Sequence, residues 1–148
     1  MQIGCVGQWE FGIPSGWSRT ENESSDSYFE NEEADKGLYV KLVRLSEPKA
    51  SPRDLAKYIQ GVHLRAFTEK DGESWAVVGE YGENDLSLFR SVLDLYNNEA
   101  SYRVLSLVVC TEREALQVTV HDYWCQDHEA SRENFIEIER SIVMLPAA

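Results

Sequence analysis

Hydrophobic and polar residues alternate through residues 86–123, and this alternation predicts three β-strands joined by two tight turns. The turns are expected at residues 97–100 (Asn-Asn-Glu-Ala) and 111–114 (Thr-Glu-Arg-Glu), where mostly polar residues interrupt the pattern. If the second turn closes a hairpin, Cys110 lies opposite Ala115 and the apolar positions of the two strands coincide. This three-stranded meander is the centre of the predicted fold, and the other segments are expected to cover it.

A row of charged residues crosses the predicted meander. Closing the first hairpin at Tyr96 and Ser101 places Asp94 opposite Arg103, and the second hairpin places Arg103 opposite Asp122. An arginine between two carboxylates is typical of a cross-strand charge row that fixes the register. A catalytic role for these three residues is the alternative, although the sequence supplies no nucleophile or second base near them.

The alternation gives the meander two chemically different faces. We call one the apolar face, and it carries Leu88, Val92, Leu105, Leu107, Val109, Leu116, Val118 and Val120. We call the other the mixed face, and it carries Phe89, Leu93, Leu95, Tyr102, Val104, Ser106, Val108, Gln117, Thr119, His121 and Tyr123. The apolar face must be covered by other elements, so the mixed face is where a functional site is expected.

Shorter apolar segments predict further strands before the meander. These strands are expected at residues 8–13, 38–45 and 75–78. The segments between them are expected to be turns at 14–16 and 70–73 and a flexible link at 79–85.

A first helix is predicted to begin at Ser51, which has the character of an N-cap. Pro52 follows at the first helical position, and Asp54 places an acid in the first turn. An apolar stripe follows at helical spacing, formed by Leu55, Ile59, Val62 and Ala66. His63 lies beside this stripe, where a packing role is expected.

A second helix is predicted to begin at Ser131 and to end before Pro146. Its apolar stripe consists of Phe135, Ile138, Ile142 and Leu145. Both helices are expected to pack on the apolar face of an antiparallel sheet of about five to six strands, which makes the chain an α+β domain.

Length and composition favour a single cytoplasmic domain. The chain has 148 residues, enough to bury a core without cross-links. Its three cysteines, Cys5, Cys110 and Cys125, are an odd number with no metal-ligand spacing, so reduced thiols are expected. The N-terminal residues lack the basic start and apolar core of a signal peptide, and no segment reaches the length of a membrane span.

The chain carries a net charge of -12, which disfavours binding to nucleic acid and suits a basic protein partner. Much of this charge lies in an acidic loop predicted at about residues 20–36. Its acids are Glu21, Glu23, Asp26, Glu30, Glu32, Glu33 and Asp35. A solvated mobile loop and a docking arm for a cationic surface are the two interpretations.

One cluster of residues has metal-ligand chemistry, namely His121, Asp122, Cys125, Asp127 and His128. A structural zinc site normally has paired ligands at both ends of its motif, and the chain has no second pair. No glycine-rich phosphate loop or serine elbow is present either. The sequence therefore predicts neither a metal nor a cofactor.

The order of elements and three short motifs resemble the PsbP-like fold. Residues 11–17 (Phe-Gly-Ile-Pro-Ser-Gly-Trp) look like the opening strand and proline turn of that group. Phe135, Ile138 and residues 141–142 look like its closing helix, and the helix at 51–67 falls where the group has its first helix. The group includes a photosystem extrinsic subunit, the DcrB lipoproteins, a Ran-binding nuclear import factor and the Eag-type chaperones of type VI secretion.

For a cytosolic bacterial member, this resemblance implies binding of another protein. The sequence therefore favours a non-enzymatic binding module, without membrane insertion, and a homodimer is compatible with it. An immunity protein would steer a basic toxin with the acidic loop. A secretion-associated chaperone would instead shield an effector in an apolar groove walled by Phe89, Leu93, Leu95 and Val104.

The alternative function is a small-molecule or enzymatic site on the mixed face around His121. The residues expected to form it are Phe89, Leu93, Tyr102, Gln117, Thr119, His121 and Tyr123.

Overall fold

The structure is a computed structural model that describes residues 1–20, 27–47, 51–69, 75–85 and 88–146. The helices are α1 (Pro52–Thr68) and α2 (His128–Ser141). The strands are β1 (Gln2–Val6), β2 (Trp9–Ile13), β3 (Ser18–Thr20), β4 (Ser27–Glu30), β5 (Lys36–Arg44), β6 (Trp75–Asp85), β7 (Leu88–Asn97), β8 (Tyr102–Cys110), β9 (Glu114–Asp122) and β10 (Val143–Met144).

The strands form two antiparallel sheets. The large sheet has seven strands in the order β3-β4-β5-β9-β8-β7-β6, so the predicted meander β7-β8-β9 forms its middle and β5 extends it beyond β9. The small sheet has three strands in the order β1-β2-β10. The α+β class is confirmed. The large sheet has more strands than expected because β3 and β4 extend it beyond β5, whereas the strand predicted at 8–13 belongs to the small sheet as β2.

The two hairpins of the meander differ in how well the sequence predicted them. The second is confirmed, with Cys110 opposite Ala115. The register of the first is wrong by two residues, because Asn97 lies opposite Tyr102 and the four-residue turn therefore lies at 98–101 instead of 97–100. The side chain of Asn97 accepts a hydrogen bond from the backbone N–H of Ala100 at 3.0 Å, which stabilises the turn in this position. A shift of two residues preserves the faces, so both predicted faces exist.

The apolar face is covered as expected by α2, and also by the small sheet, which the sequence did not predict as a layer. The resulting core contains Trp9, Phe11, Ile13, Val92, Leu105, Leu107, Val109, Leu116, Val118, Val120, Phe135, Ile138 and Ile142. Burying this much apolar surface is the main favourable contribution to folding.

Helix α1 lies on the mixed face, which corrects the prediction that both helices share the apolar face. It packs against β7 and β8. The reason is that the mixed face is apolar along these two strands, where Phe89, Leu93, Leu95, Val104 and Val108 are all buried. The β9 part of this face is polar, and α1 leaves it partly uncovered.

The apolar stripe of α1 is rotated from the predicted one. Leu55 and Ile59 are buried as expected, but Val62 is 46% exposed and Ala66 is also exposed. In their place Gln60 is buried, and its amide donates hydrogen bonds to the backbone oxygens of Ser91 at 3.0 Å and Ser106 at 3.1 Å. These bonds satisfy the buried amide, so a polar residue can face the sheet.

Helix α2 begins at His128, three residues before the predicted start at Ser131. Asp127 is its N-cap, and one carboxylate oxygen accepts hydrogen bonds from the backbone N–H groups of Glu129 and Ala130, both at 3.1 Å. The stripe of Phe135, Ile138 and Ile142 is buried as predicted.

The end of α2 also differs from the prediction. The helix stops at Ser141, and the chain then forms β10 against β2. Leu145 is therefore outside the helix and exposed, and Pro146 does not terminate it.

Two other predictions change. The expected flexible link at 79–85 is part of strand β6, which pairs with β7 across a register shift between Val77 and Gly79.

Residues 27–30 of the expected acidic loop form β4. The predicted turn at 70–73 lies outside the described residues, and no helix in the described part of the chain is long and apolar enough to span a membrane.

Candidate ligand-binding groove

Helix α1 and strands β5 and β9 enclose two adjoining cavities on the mixed face. The first, the polar cavity, has a volume of about 430 Å³ and is lined by Tyr39, Lys41, His63, Tyr102, Gln117, Thr119, His121 and Tyr123. The second, the apolar cavity, has a volume of about 330 Å³ and is lined by Lys41, Val43, Tyr58, Ile59, Val62, His63, Ala66 and Gln117. Lys41, His63 and Gln117 line both, so the two cavities form one continuous groove.

The floor of the groove follows from the pairing of β5 with β9. Tyr39 lies opposite Thr119, and Lys41 lies opposite Gln117. Because side chains alternate along a strand, all four point to the mixed face while Leu38 and Val40 point into the core. On the other side, α1 lines the groove with Tyr58, Ile59, Val62, His63 and Ala66.

His63 is anchored at the point where the two cavities meet. Its Nδ1 lies 2.9 Å from Oγ of Ser106 and 3.3 Å from Nε2 of Gln117. Both contacts are made by the same ring nitrogen, and the tautomer of the imidazole sets which atom donates in each of them. Burial lowers the pKa of His63 to about 4, which agrees with a neutral imidazole at physiological pH.

His121 is held inside the polar cavity by aromatic side chains. Its Nδ1 lies 2.6 Å from the hydroxyl oxygen of Tyr102. The ring of Tyr39 meets it edge-on at 5.1 Å between centroids, and the ring of Tyr123 stacks on it at 5.7 Å. Burial, and to a smaller extent repulsion from the protonated form of His63, lowers the pKa of His121 to about 4.

The phenol groups at the outer end of the polar cavity are also neutral. The hydroxyl of Tyr28 lies 3.1 Å from that of Tyr123 and donates a hydrogen bond to Glu30 at 3.0 Å. Burial, followed by these hydrogen bonds, raises the pKa of Tyr28, and burial is also the main cause that raises the pKa of Tyr123. These tyrosines therefore offer hydrogen bonds rather than charge.

The structure brings together most of the predicted mixed-face site. Tyr102, Gln117, Thr119, His121 and Tyr123 line the polar cavity as one group. Phe89 and Leu93 do not reach it, because α1 covers them and they are only 8% and 1% exposed.

Helix α1 also packs over the residues that were expected to form the walls of a chaperone groove. Leu95 and Val104 are fully buried beside Leu93, so these side chains are not the walls of an open groove.

Three lining residues of the polar cavity were missed by the sequence analysis. Tyr39 and Lys41 come from β5, and His63 comes from α1. The alternation in β5 placed Tyr39 and Lys41 on a common side, but no local pattern shows that β5 pairs with β9. His63 was noted beside the α1 stripe, and only the rotation of the helix turns it toward Gln117.

The candidate metal ligands are not assembled. His121 points to the mixed face, whereas Asp122 is buried on the opposite side. Asp127 caps α2, and the ring of His128 packs edge-on against Tyr96 at 4.7 Å. The described residues contain no group of three or more His, Cys, Asp or Glu side chains arranged to hold a metal ion.

The predicted charge row is a buried structural cluster. Arg103 binds the carboxylate of Asp94 with two hydrogen bonds, at 3.0 Å and 2.8 Å, although Asp94 lies diagonal to it rather than opposite. It also donates to the backbone oxygen of His128 at 2.6 Å, which ties the sheet to the start of α2. Asp122 lies opposite Arg103 as predicted. These contacts connect elements and face no cavity described above.

The acidic segment is only partly described. Glu21, Glu23 and Asp26 lie outside the described residues. Glu30 accepts the hydrogen bond from Tyr28, and Asp35 pairs with Lys36. Glu32 and Glu33 are exposed in the turn that follows β4.

Comparison with known proteins identifies the fold. No protein-family model matches the chain, and no curated protein matches it. The structure is similar to the solution structure of cyanobacterial PsbP (CyanoP) from Synechocystis sp. PCC 6803, with a TM-score of 0.71. The similarity covers 97% of this chain and 91% of that chain at 14% sequence identity. The chain therefore has a PsbP-like fold, as its sequence predicted, while the resemblance to DcrB and Eag-type proteins stays a prediction.

Proposed function

We propose that this chain is a non-enzymatic binding protein whose ligand occupies the groove between α1, β5 and β9. The observation that carries the proposal is the polar cavity of about 430 Å³, in which hydrogen-bonding and aromatic side chains from four elements converge. Cavities of this size, with aromatic walls and a few polar groups, are typical of small-molecule sites. The fold itself carries no functional argument, because one fold serves many functions.

The protonation states in the groove favour binding over catalysis. A general base works best with a pKa near the operating pH, and the pKa values of His63 and His121 are lowered to about 4. The pKa of Tyr123 is raised, which makes it a weak acid near neutral pH. Among the described lining residues there is no carboxylate or thiol to act as a nucleophile or to orient an imidazole.

The proposal is tested by screening a library of small aromatic, aliphatic and carboxylate fragments by ligand-observed NMR. The blocked variant is Gln117→Trp, because Gln117 lines both cavities. The matched control is Glu133→Trp, at an exposed position of α2 on the other side of the sheet. We expect fragments that bind the wild type and the control but not the blocked variant, with all three showing the same circular dichroism spectrum. Fragments that bind all three proteins equally, or none at all, would overturn the proposal.

A second candidate function is docking of a basic protein, such as a toxin neutralised by an immunity protein. It is favoured by the exposure of Glu32 and Glu33 in a chain with a net charge of -12. Charge of one sign speeds the encounter with an oppositely charged partner, and salt weakens it. We prefer the immunity function to the chaperone function because α1 already covers the apolar surface with which a chaperone would bind its effector.

Affinity capture from the native host at low and high salt tests this second candidate. The variant is Glu32→Lys with Glu33→Lys, and its control is Glu129→Lys with Glu137→Lys, which makes the same charge change at exposed positions of α2. We expect a stoichiometric partner that is lost at high salt and lost by the first variant only. A partner lost equally from both variants would indicate a general charge effect and contradict docking at this turn.

A further inference from the structure

The two halves of the groove have different chemistry, and they meet at Lys41. The polar cavity offers hydroxyl, amide and imidazole groups, whereas the apolar cavity is walled mainly by Val43, Ile59, Val62 and Ala66. Val62 is 46% exposed and Tyr58 is 60% exposed, so apolar surface of α1 remains open to solvent along this half. Ile59 and Ala66 are seven residues apart in α1, which corresponds to about 10 Å along the helix axis.

Lys41 is the charged residue of the groove. The other described lining residues are neutral or, in the case of the two histidines, held neutral by burial. Within the described part of the chain, no salt bridge includes Lys41, and Gln117 lies directly opposite it. A ligand that covers this ammonium group removes water from it, and that cost is offset only if the ligand supplies an opposite charge.

We infer that the groove binds an amphiphilic monocarboxylate, with its carboxylate beside Lys41 and its hydrocarbon tail in the apolar cavity. This inference rests on the proposed function, because it names the ligand class for the same groove. The amide of Gln117 is placed to donate a hydrogen bond to the carboxylate. The tail covers Val62 and the neighbouring apolar side chains, which supplies the hydrophobic part of the affinity.

A single cation distinguishes this ligand class from the alternatives. A phosphate group carries more charge and is usually held by arginine forks or several cations, whereas the described lining residues include one lysine and no arginine. A neutral amphiphile would satisfy the apolar cavity but would leave the Lys41 charge covered and unpaired. The strongly negative net charge of -12 also opposes ligands with several negative charges.

The test compares decanoate with decanol, which has the same tail without the charge, by isothermal titration of the full chain below the micelle concentration. The variant Lys41→Met removes the cation and keeps the length of the side chain. The control Lys57→Met removes an exposed lysine of α1 that lines neither cavity. We expect Lys41→Met to weaken decanoate binding about fivefold, to the affinity of decanol, with decanol unaffected and Lys57→Met behaving as wild type.

Equal affinities of decanoate and decanol for the wild type would overturn the inference, as would undiminished binding of decanoate to Lys41→Met. Both results leave the proposed function standing if library fragments still bind in the groove, because they concern only the ligand class. If no fragment binds the groove, the proposed function fails as well. Because Lys41 is exposed, the variant is expected to fold, and its melting temperature checks this.

Discussion

The Nδ1 atom of His121 lies 2.6 Å from the hydroxyl oxygen of Tyr102, and this hydrogen bond joins β9 to β8 beneath the groove. It belongs to a site in which burial keeps both imidazoles neutral. The same burial that forms the site therefore makes the protein sensitive to acid.

Acid is expected to destabilise the fold through His63 and His121. In the unfolded chain each histidine binds a proton with its ordinary pKa of 6.5, whereas in the folded chain the pKa is about 4. Between these values the unfolded state binds more protons, so the free energy of unfolding falls as the pH falls from 6.5 toward 4 and is unaffected by these groups above that range. The effect is on the order of 1 to 2 kcal/mol for each histidine, discounted because both rings are partly exposed.

Urea denaturation at several pH values measures this effect. The variants His63→Gln and His121→Gln are expected to lose less stability than wild type between pH 6.5 and 4. Parallel pH profiles for all three proteins would show that neither groove histidine is held neutral.

Breaking the buried pair of Arg103 with Asp94 is expected to be strongly destabilising. Both side chains are buried, and removal of one leaves the other charge unpaired, so Arg103→Met should cost about 3 to 5 kcal/mol in the free energy of unfolding. The comparison is Arg44→Met, because the Arg44 side chain is 64% exposed in its salt bridge with Glu114 and should contribute less than about 1 kcal/mol. If urea denaturation shows the same loss of unfolding free energy for Arg103→Met and Arg44→Met, the structural role of the cluster is contradicted.

Gly37 is expected to be required for the packing of the tyrosines at the outer end of the polar cavity. A Cβ at this position would lie 2.5 Å from the ring and hydroxyl of Tyr28 and 2.9 Å from the hydroxyl of Tyr123. Gly37→Ala should therefore destabilise the fold by about 1 to 3 kcal/mol and separate the two phenols.

The matched control is Gly61→Ala in α1. The added Cβ would lie 3.5 Å from the Arg65 guanidinium, an ordinary contact, and alanine favours the helix, so a gain of about 0.5 to 1 kcal/mol is expected. In urea denaturation, the free energy of unfolding is expected to fall for Gly37→Ala and to rise for Gly61→Ala. A neutral Gly37→Ala variant would show that the tyrosines can move aside freely.

The start of α2 can be tested by comparing two alanine variants. Asp127→Ala removes a side chain that accepts two backbone hydrogen bonds, so the free energy of unfolding should fall by about 1 kcal/mol. Ser131→Ala removes a buried hydroxyl that lies beside the Cys125 thiol, which is a weak hydrogen-bonding group, so the free energy of unfolding should change by less than about 1 kcal/mol. If Ser131→Ala lowers the free energy of unfolding more than Asp127→Ala, the result would support a helix that starts at Ser131, as the sequence predicted.

Local patterns in the sequence predicted the sheet better than they predicted the groove. Alternation identified both faces of the meander, and the hairpin that closes near Cys110 and Ala115 has the predicted register. In the other hairpin, the backbone N–H of Ala100 donates a hydrogen bond to the side chain of Asn97, and alternation does not predict a contact of this kind.

The groove could not be predicted as a whole because it depends on contacts between distant segments. His121 and Thr119 were expected on the mixed face, but Tyr39 joins them through the pairing of β5 with β9, some 80 residues apart along the chain. His63 joins them because Gln60 turns toward the sheet and rotates α1. The apolar stripe alone favoured Val62 and Ala66 instead, and these became the open wall of the apolar cavity.

The most direct test of the proposed site is to locate a bound fragment on the protein. We would record ¹H–¹⁵N NMR spectra of the wild type with and without the library fragment that binds most tightly. The expected result is that the largest shifts cluster at Lys41, Gln117, Thr119 and His121, with smaller shifts along α1. Shifts that cluster instead around Glu32 and Glu33, or on the exposed side of α2, would contradict the claim that the groove is the binding site.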